Sequence, residues 1–231
     1  MRGLLILIIV LVIALLAGDR IAVAMAQNEI ARKIAAEYHL QNEPRVDIGG
    51  FPFLTQAVDG TYRDVRVHAD TWTGQGLTVA DLNVTMTDVS APLTDILNNR
   101  TSNLVAATAT ATAVVPYDTV RGFAPTEVDS ISYAPDGLRI TGTFSVEGIP
   151  IPATVIVTVA PTDNGIEVTP ISAQPSTGGP TIPLALLRRT LTFTIPLQRL
   201  PLGARLTAIQ PTPAGLQVTA QAHNTHLTDL P

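Results

Sequence analysis

The sequence predicts an α+β fold: a long curved antiparallel β-sheet, or an elongated tubular barrel of such strands, wrapped around an amphipathic helix near the amino terminus. Three observations carry this expectation. Helical periodicity is confined to one early stretch, where Ile30, Ile34 and Ala35 share a face while Glu29, Arg32, Lys33 and Glu37 fall elsewhere. Beyond Pro44, apolar and polar residues alternate with the period of two that a half-buried strand requires. The pattern Gly-[Leu/Ile]-x-[Val/Ile]-[Thr/Ala] recurs at Gly76–Ala80, Gly137–Thr141, Gly165–Thr169 and Gly215–Thr219. Three copies follow turn-prone pairs, Pro135-Asp136, Asp163-Asn164 and Pro213-Ala214, and so read as hairpins.

The chain of 231 residues opens Met1-Arg2-Gly3 and continues with fourteen unbroken apolar residues, Leu4 to Ala17. As a helix this run spans about 21 Å, short of the roughly 30 Å hydrocarbon core and suited to the apolar region of a secretory signal. Ala22-Val23-Ala24 and Ala24-Met25-Ala26 both match the small-x-small cleavage pattern. Asp19 and Arg20 interrupt the approach to those sites, and the apolar period runs on through Ile30 and Ile34, as in an uncleaved anchor. Residues 1–26 are therefore expected to be a signal peptide or a signal-anchor, in preference to the buried core helix of a cytosolic protein, and residues 27–231 a single domain. Either way Arg2 stays inside and the rest of the chain is delivered outside, secreted or held by its apolar segment.

The helix is expected from about Ile21 to Tyr38 and ends before Pro44, which disfavours helix in its predecessor. Strands follow. Val65, Val67 and Ala69 form one face, then Ala80, Leu82, Val84 and Met86, then Leu138, Ile140, Gly142, Phe144 and Val146. Short helices are expected from Ser90 to Leu97 and from Thr181 to Arg189. Between them Leu104–Pro116 reads as a strand with Thr108, Thr110 and Thr112 on one side. Its other side carries only Ala107, Ala109, Ala111 and Ala113, which leaves room for a closely packed helix or an acyl chain.

Composition narrows the function. Charged residues make up 14%, aromatics 4%, and the mean hydropathy is +0.30, too apolar for a disordered chain. A net charge of −5 argues against general nucleic-acid binding, which needs a dense basic face. Zero Cys removes thiol catalysis, disulfides, iron–sulfur clusters and Cys-based zinc sites. There is no nucleophile elbow, phosphate loop or dinucleotide fingerprint. His223 and His226, three apart on a strand, are expected to face opposite sides and to be solvated rather than metal-bound. No catalytic residue, metal or cofactor is assigned.

Two features remain. Gly49-Gly50-Phe51-Pro52-Phe53-Leu54-Thr55-Gln56 gathers two of the five Phe in a stretch punctuated by Gly and Pro, expected to be a loop or bulge. If extended, Phe51 and Phe53 point the same way, and Phe51, Pro52, Phe53 and Leu54 either plug a core or form an apolar lip for lipid. Phe144 and Phe193 complete this candidate lipid-contacting set. Thirteen of the fourteen basic residues are Arg. Arg188 and Arg189 form a candidate fork for a phosphate head group, or else pair with surface carboxylates.

Pro44-x-Val46-x-Ile48-x-Gly50-Phe51-Pro52-Phe53-Leu54-Thr55-Gln56, followed by Gly60-x-Tyr62-x-x-Val65-x-Val67, resembles the actinobacterial LmeA family of cell-envelope lipid-binding proteins. Ala91-Pro92-Leu93-x-Asp95, Leu200-Pro201-Leu202-Gly203-x-Arg205-Leu206 and Gly215-Leu216-x-Val218-x-Ala220 are similar to later landmarks of that family. The resemblance implies a tubular lipid-binding fold, a periplasmic membrane-associated location and non-catalytic binding of phospholipid, including the phosphatidylinositol type. It further implies a role in lipomannan-type glycolipid maturation or envelope integrity. The alternative is an envelope scaffold that grips a protein partner through the Phe51–Leu54 loop and has no lipid cavity.

Overall fold

The computed structural model describes residues 2–74, 77–92, 104–146, 149–162, 165–175, 193–196 and 203–226. The order of elements is α1 (Arg2–Glu37), β1 (Arg45–Gly49), α2 (Phe53–Asp59), β2 (Thr61–Gly74), β3 (Leu77–Ser90), β4 (Val105–Val115) and α3 (Tyr117–Arg121). There follow β5 (Val128–Ala134), β6 (Gly137–Val146), β7 (Ile149–Thr162), β8 (Gly165–Pro175), β9 (Phe193–Pro196), β10 (Arg205–Thr212) and β11 (Gly215–His226). The fold is α+β: one long helix and two antiparallel sheets, ordered β1-β2-β3-β4-β11-β10 and β5-β6-β7-β8-β9. The expected Ser90–Leu97 helix falls mainly, and the Thr181–Arg189 helix wholly, outside the described residues. The helix expected from Ile21 begins at Arg2 instead, because nothing between Ala17 and Ile21 breaks it.

The chain divides into two compact units. The first comprises Met1–Asp70, Asn83–Ala111 and Ala222–Pro231. Its core joins Val23 and Ala31 of α1 to Val46 and Ile48 of β1, Phe53 of α2, Tyr62, Val89, Ala91 and Ala106. Phe53 and Tyr62 meet with ring centroids 6.1 Å apart, and burial raises the Tyr62 hydroxyl above its usual pKa. Val65 and Val67 pack on this core and Ala69 is buried, as alternation along β2 requires.

The second unit comprises Thr71–Leu82 and Thr112–Gln221. Its core is the inner face of β6, β7 and β8 (Leu138, Ile140, Phe144, Val155, Val157 and Val168 among others) closed by Val120 of α3 and by Ile209 and Leu216 of the β10–β11 hairpin. Leu138, Ile140, Gly142 and Phe144 are all buried, the expected face of β6.

Along β3 the alternation is broken. Val79 and Val89 are buried, out of step with half-buried Leu82, Val84 and Met86. Asp81 and Asp88 lie between them with φ of 50° and 47°. The change in which positions are buried coincides with these two left-handed residues, a conformation that Asp tolerates better than most. Asn224 is also left-handed (φ 49°), and His223 and His226 beside it are both exposed, instead of on opposite sides.

Two hairpins are built alike. In β5–β6, Ala134 pairs with Gly137, and the register shifts between Val128 and Ser130. In β10–β11, Thr212 pairs with Gly215, and the shift falls between Leu206 and Ala208, at the same distance from its glycine. Gly137 and Gly215 have φ of 148° and 154°, and a Cβ on them would lie 2.2 Å from the Val157 carbonyl oxygen and 2.3 Å from that of Val115. Gly137→Ala and Gly215→Ala are therefore each expected to cost about 1–3 kcal/mol, read as matching falls in the urea midpoint at unchanged slope.

Candidate functional site

The Gly49–Gln56 motif lies in the first unit and is a helix start, not an extended loop. Gly50 takes φ of 90°, and a Cβ there would sit 2.8 Å from the Gln56 amide nitrogen. That amide donates to the Gly49 carbonyl at 3.2 Å and accepts from the Arg63 N–H at 3.1 Å, tying the motif to β1 and β2. The Phe51–Pro52 peptide is cis, and α2 begins immediately after it. Thr55 donates its hydroxyl to the Pro52 carbonyl at 2.8 Å. Gly60 closes α2 in the left-handed conformation, donating its N–H to the Gln56 carbonyl.

Pro52 has no side-chain oxygen with which to cap α2. The cap comes from α1: Asp19 Oδ1 accepts the Leu54 N–H at 2.8 Å. Asp19 is 3% exposed, although it stands two residues after the apolar run. Its other oxygen accepts from Arg20 Nη2 at 2.7 Å, and the Arg20 guanidinium lies 5.0 Å from the Phe51 ring centroid. One carboxylate thus holds both a helix start and an arginine that covers an aromatic ring.

Helical geometry separates the aromatic pair. Phe53 is 7% exposed and belongs to the core, whereas Phe51 is 54% exposed and Leu54 43%. Val58, one turn beyond Leu54, is 79% exposed. The expectation that Phe51 and Phe53 point the same way rested on an extended chain and fails for that reason. The plug and the exposed edge are both present, on different residues.

The other candidates lie elsewhere. Phe144 is 1% exposed in the core of the second unit. Phe193 lies on β9, opposite Val168, and only its backbone is described. Arg188 and Arg189 lie outside the described residues. Along β4, Ala109 and Ala113 are buried, while Ala107 and Ala111 are half-buried. The second unit holds an internal cavity of about 20 Å³ beneath Val120 and Ala124, walled by Ile131, Leu138, Ile140 and Val168 among others. That is space for about one water molecule, and a wider hollow of about 260 Å³, open to solvent, lies beside the β5–β6 turn against Thr158, Val159 and Pro211. Among the described residues no three His, Asp or Glu are grouped to hold a metal ion.

Sequence reasoning missed Asp19, Arg20 and Gln56 as members of the site. Asp19 had a signal, a lone carboxylate at the end of an apolar run. Gln56 had none beyond its place in the motif.

A family model described as LmeA-like phospholipid-binding matches residues 17–221. The chain belongs to this family. In this LmeA-family chain the matched region takes in Asp19, Arg20 and the whole Gly49–Gly60 segment, and leaves Leu4–Leu16 outside. No curated protein and no solved structure matches the chain significantly.

Proposed function

We propose that this protein is a non-catalytic phospholipid-binding protein on the outer side of a membrane, and that the exposed edge of α2 makes its apolar contact. The observation that carries this reading is the pairing of Phe51 and Leu54, both large, apolar and substantially exposed, with the Arg20 guanidinium against the Phe51 ring. A phospholipid offers the complementary pair, an anionic phosphate beside acyl chains. Arg20 already shares one N–H with Asp19, and its planar fork has further donors for a phosphate oxygen. Family membership supports the same ligand. Arg188 and Arg189 are proposed as additional head-group partners, and Phe193 as an additional apolar contact. Phe53 supports the edge from beneath, and Phe144 has a packing role.

The proposed setting is the periplasmic side of the cell envelope, and the proposed ligand is a phospholipid of the phosphatidylinositol type. Binding there serves lipomannan-type glycolipid maturation or membrane integrity. Full-length protein purified gently, extracted with organic solvent and examined by mass spectrometry is expected to release stoichiometric phospholipid. Extracts without phospholipid, from protein that instead retains a protein partner, favour a scaffold.

A further inference from the structure

We infer that the amino-terminal apolar segment is retained as a membrane span, and that the Asp19 carboxylate fastens α2 to it, so that Phe51 and Leu54 are set into the outer leaflet of the same bilayer. Retention requires no bound lipid, so it holds or fails separately from the proposed function.

Three observations argue for retention. The large apolar side chains from Leu4 to Leu16 are 44–64% exposed, and the helix that carries them runs without a break to Glu37. Both small-x-small sites lie inside that helix, and three of their five residues are spent on packing. Val23 is in the core of the first unit, and Ala22 and Ala26 pack against it. Cleavage after Ala24 or Ala26 would remove Val23, Asp19 and Arg20, and with them the cap on α2. The family match begins at residue 17, ahead of both sites.

Length argues for a span. Leu4–Ala17 alone is too short, but Ile21 and Met25 prolong its lipid-facing stripe, 61% and 68% exposed and four residues apart. The 22 residues from Leu4 to Met25 rise about 33 Å, against a hydrocarbon core of roughly 30 Å. Asp19 and Arg20 interrupt this stripe in the only form a bilayer tolerates cheaply. The carboxylate is buried against protein and receives two hydrogen bonds, and the arginine side chain is long enough to reach the head groups.

Depth is then set by one bond. Asp19 stands about 3 Å along the axis beyond Ala17, and the Leu54 nitrogen is 2.8 Å from its carboxylate. Leu54 is therefore level with the outer part of the span, and Phe51 sits beside it under Arg20. The exposed edge of α2 faces lipid because the anchor leaves it nowhere else to be.

Two measurements on the full chain test this. Intact mass of protein from the membrane fraction is expected to include Met1–Ala26, and the protein is expected to resist alkaline extraction. A mature chain beginning at Met25 or Gln27 overturns retention. The absence of native Cys allows a single fluorophore at Leu54→Cys in phospholipid nanodiscs. Its emission is expected to be quenched by nitroxide lipids and protected from iodide. Asp19→Asn keeps the oxygen that accepts from Leu54 and is expected to keep that quenching, whereas Asp19→Ala is expected to lose it. A Leu54 label open to iodide and untouched by nitroxide lipid, in the parent protein, overturns the placement.

Discussion

Phe53→Ala is expected to destabilise the protein by about 3–5 kcal/mol, while Phe51→Ala, two residues away, costs at most about 1 kcal/mol. Phe53 loses its contact with Tyr62 and leaves a void between α1, β1 and β2, which a helix anchored at both ends closes poorly. Phe51 loses only an exposed stacking contact with Arg20. The two differ oppositely in binding. Phe51→Ala, and more strongly Phe51→Ala with Leu54→Ala, is expected to lower phospholipid binding at nearly unchanged stability, whereas the folded fraction of Phe53→Ala binds normally. Urea unfolding followed by circular dichroism, alongside lipid uptake on the same samples, checks both. Equal destabilisation by Phe51→Ala and Phe53→Ala would place both rings in the core and remove the edge.

Phe144→Ala is expected to be at least as damaging to the second unit, again about 3–5 kcal/mol. Phe144 is 1% exposed and lies on β6 opposite Ile151 of β7, in a core whose neighbours Val155 and Val157 are 0% and 1% exposed. With a cavity of only about 20 Å³ nearby, there is little slack into which that core can relax. Removal of a ring that instead lined an acyl tunnel would be cheap and would abolish binding. A fall in the urea midpoint with binding retained by the folded fraction is the expected outcome.

The strands were legible because their chemistry alternates. Leu138, Ile140, Gly142 and Phe144 show the inward face of β6 without ambiguity, and Gly137 and Gly215 mark its turn and that of the β10–β11 hairpin. The left-handed strand residues were not legible: Asp81, Asp88 and Asn224 look like ordinary wet-face residues, and only the backbone shows their positive φ and the change in buried positions around them. The candidate site was half legible. Gly50-Phe51-Pro52-Phe53-Leu54-Thr55-Gln56 stood out by composition, but Pro and Gly suggested a loop, when Pro52 before and Gly60 after a short apolar run are also the bounds of a helix. Once α2 is a helix, Phe53 turns inward and Leu54 and Val58 outward. Asp19 stood out as a carboxylate at the end of an apolar run, but its role was not legible, because its partner, the Leu54 N–H, is 35 residues away and meets it only when α1 and α2 are packed.

Where the lipid touches the chain decides between the α2 edge and the second unit. Full-length protein in nanodiscs containing a phospholipid with a photoactivatable acyl chain can be irradiated, digested and mapped by mass spectrometry. Cross-links are expected on the peptide that spans Phe51 to Val58, beyond those on the Leu4–Met25 span itself. Cross-links confined instead to β6–β8 around Phe144, Ile166 and Val168 would mean that lipid enters the second unit, and would contradict the assignment of the α2 edge as the binding surface.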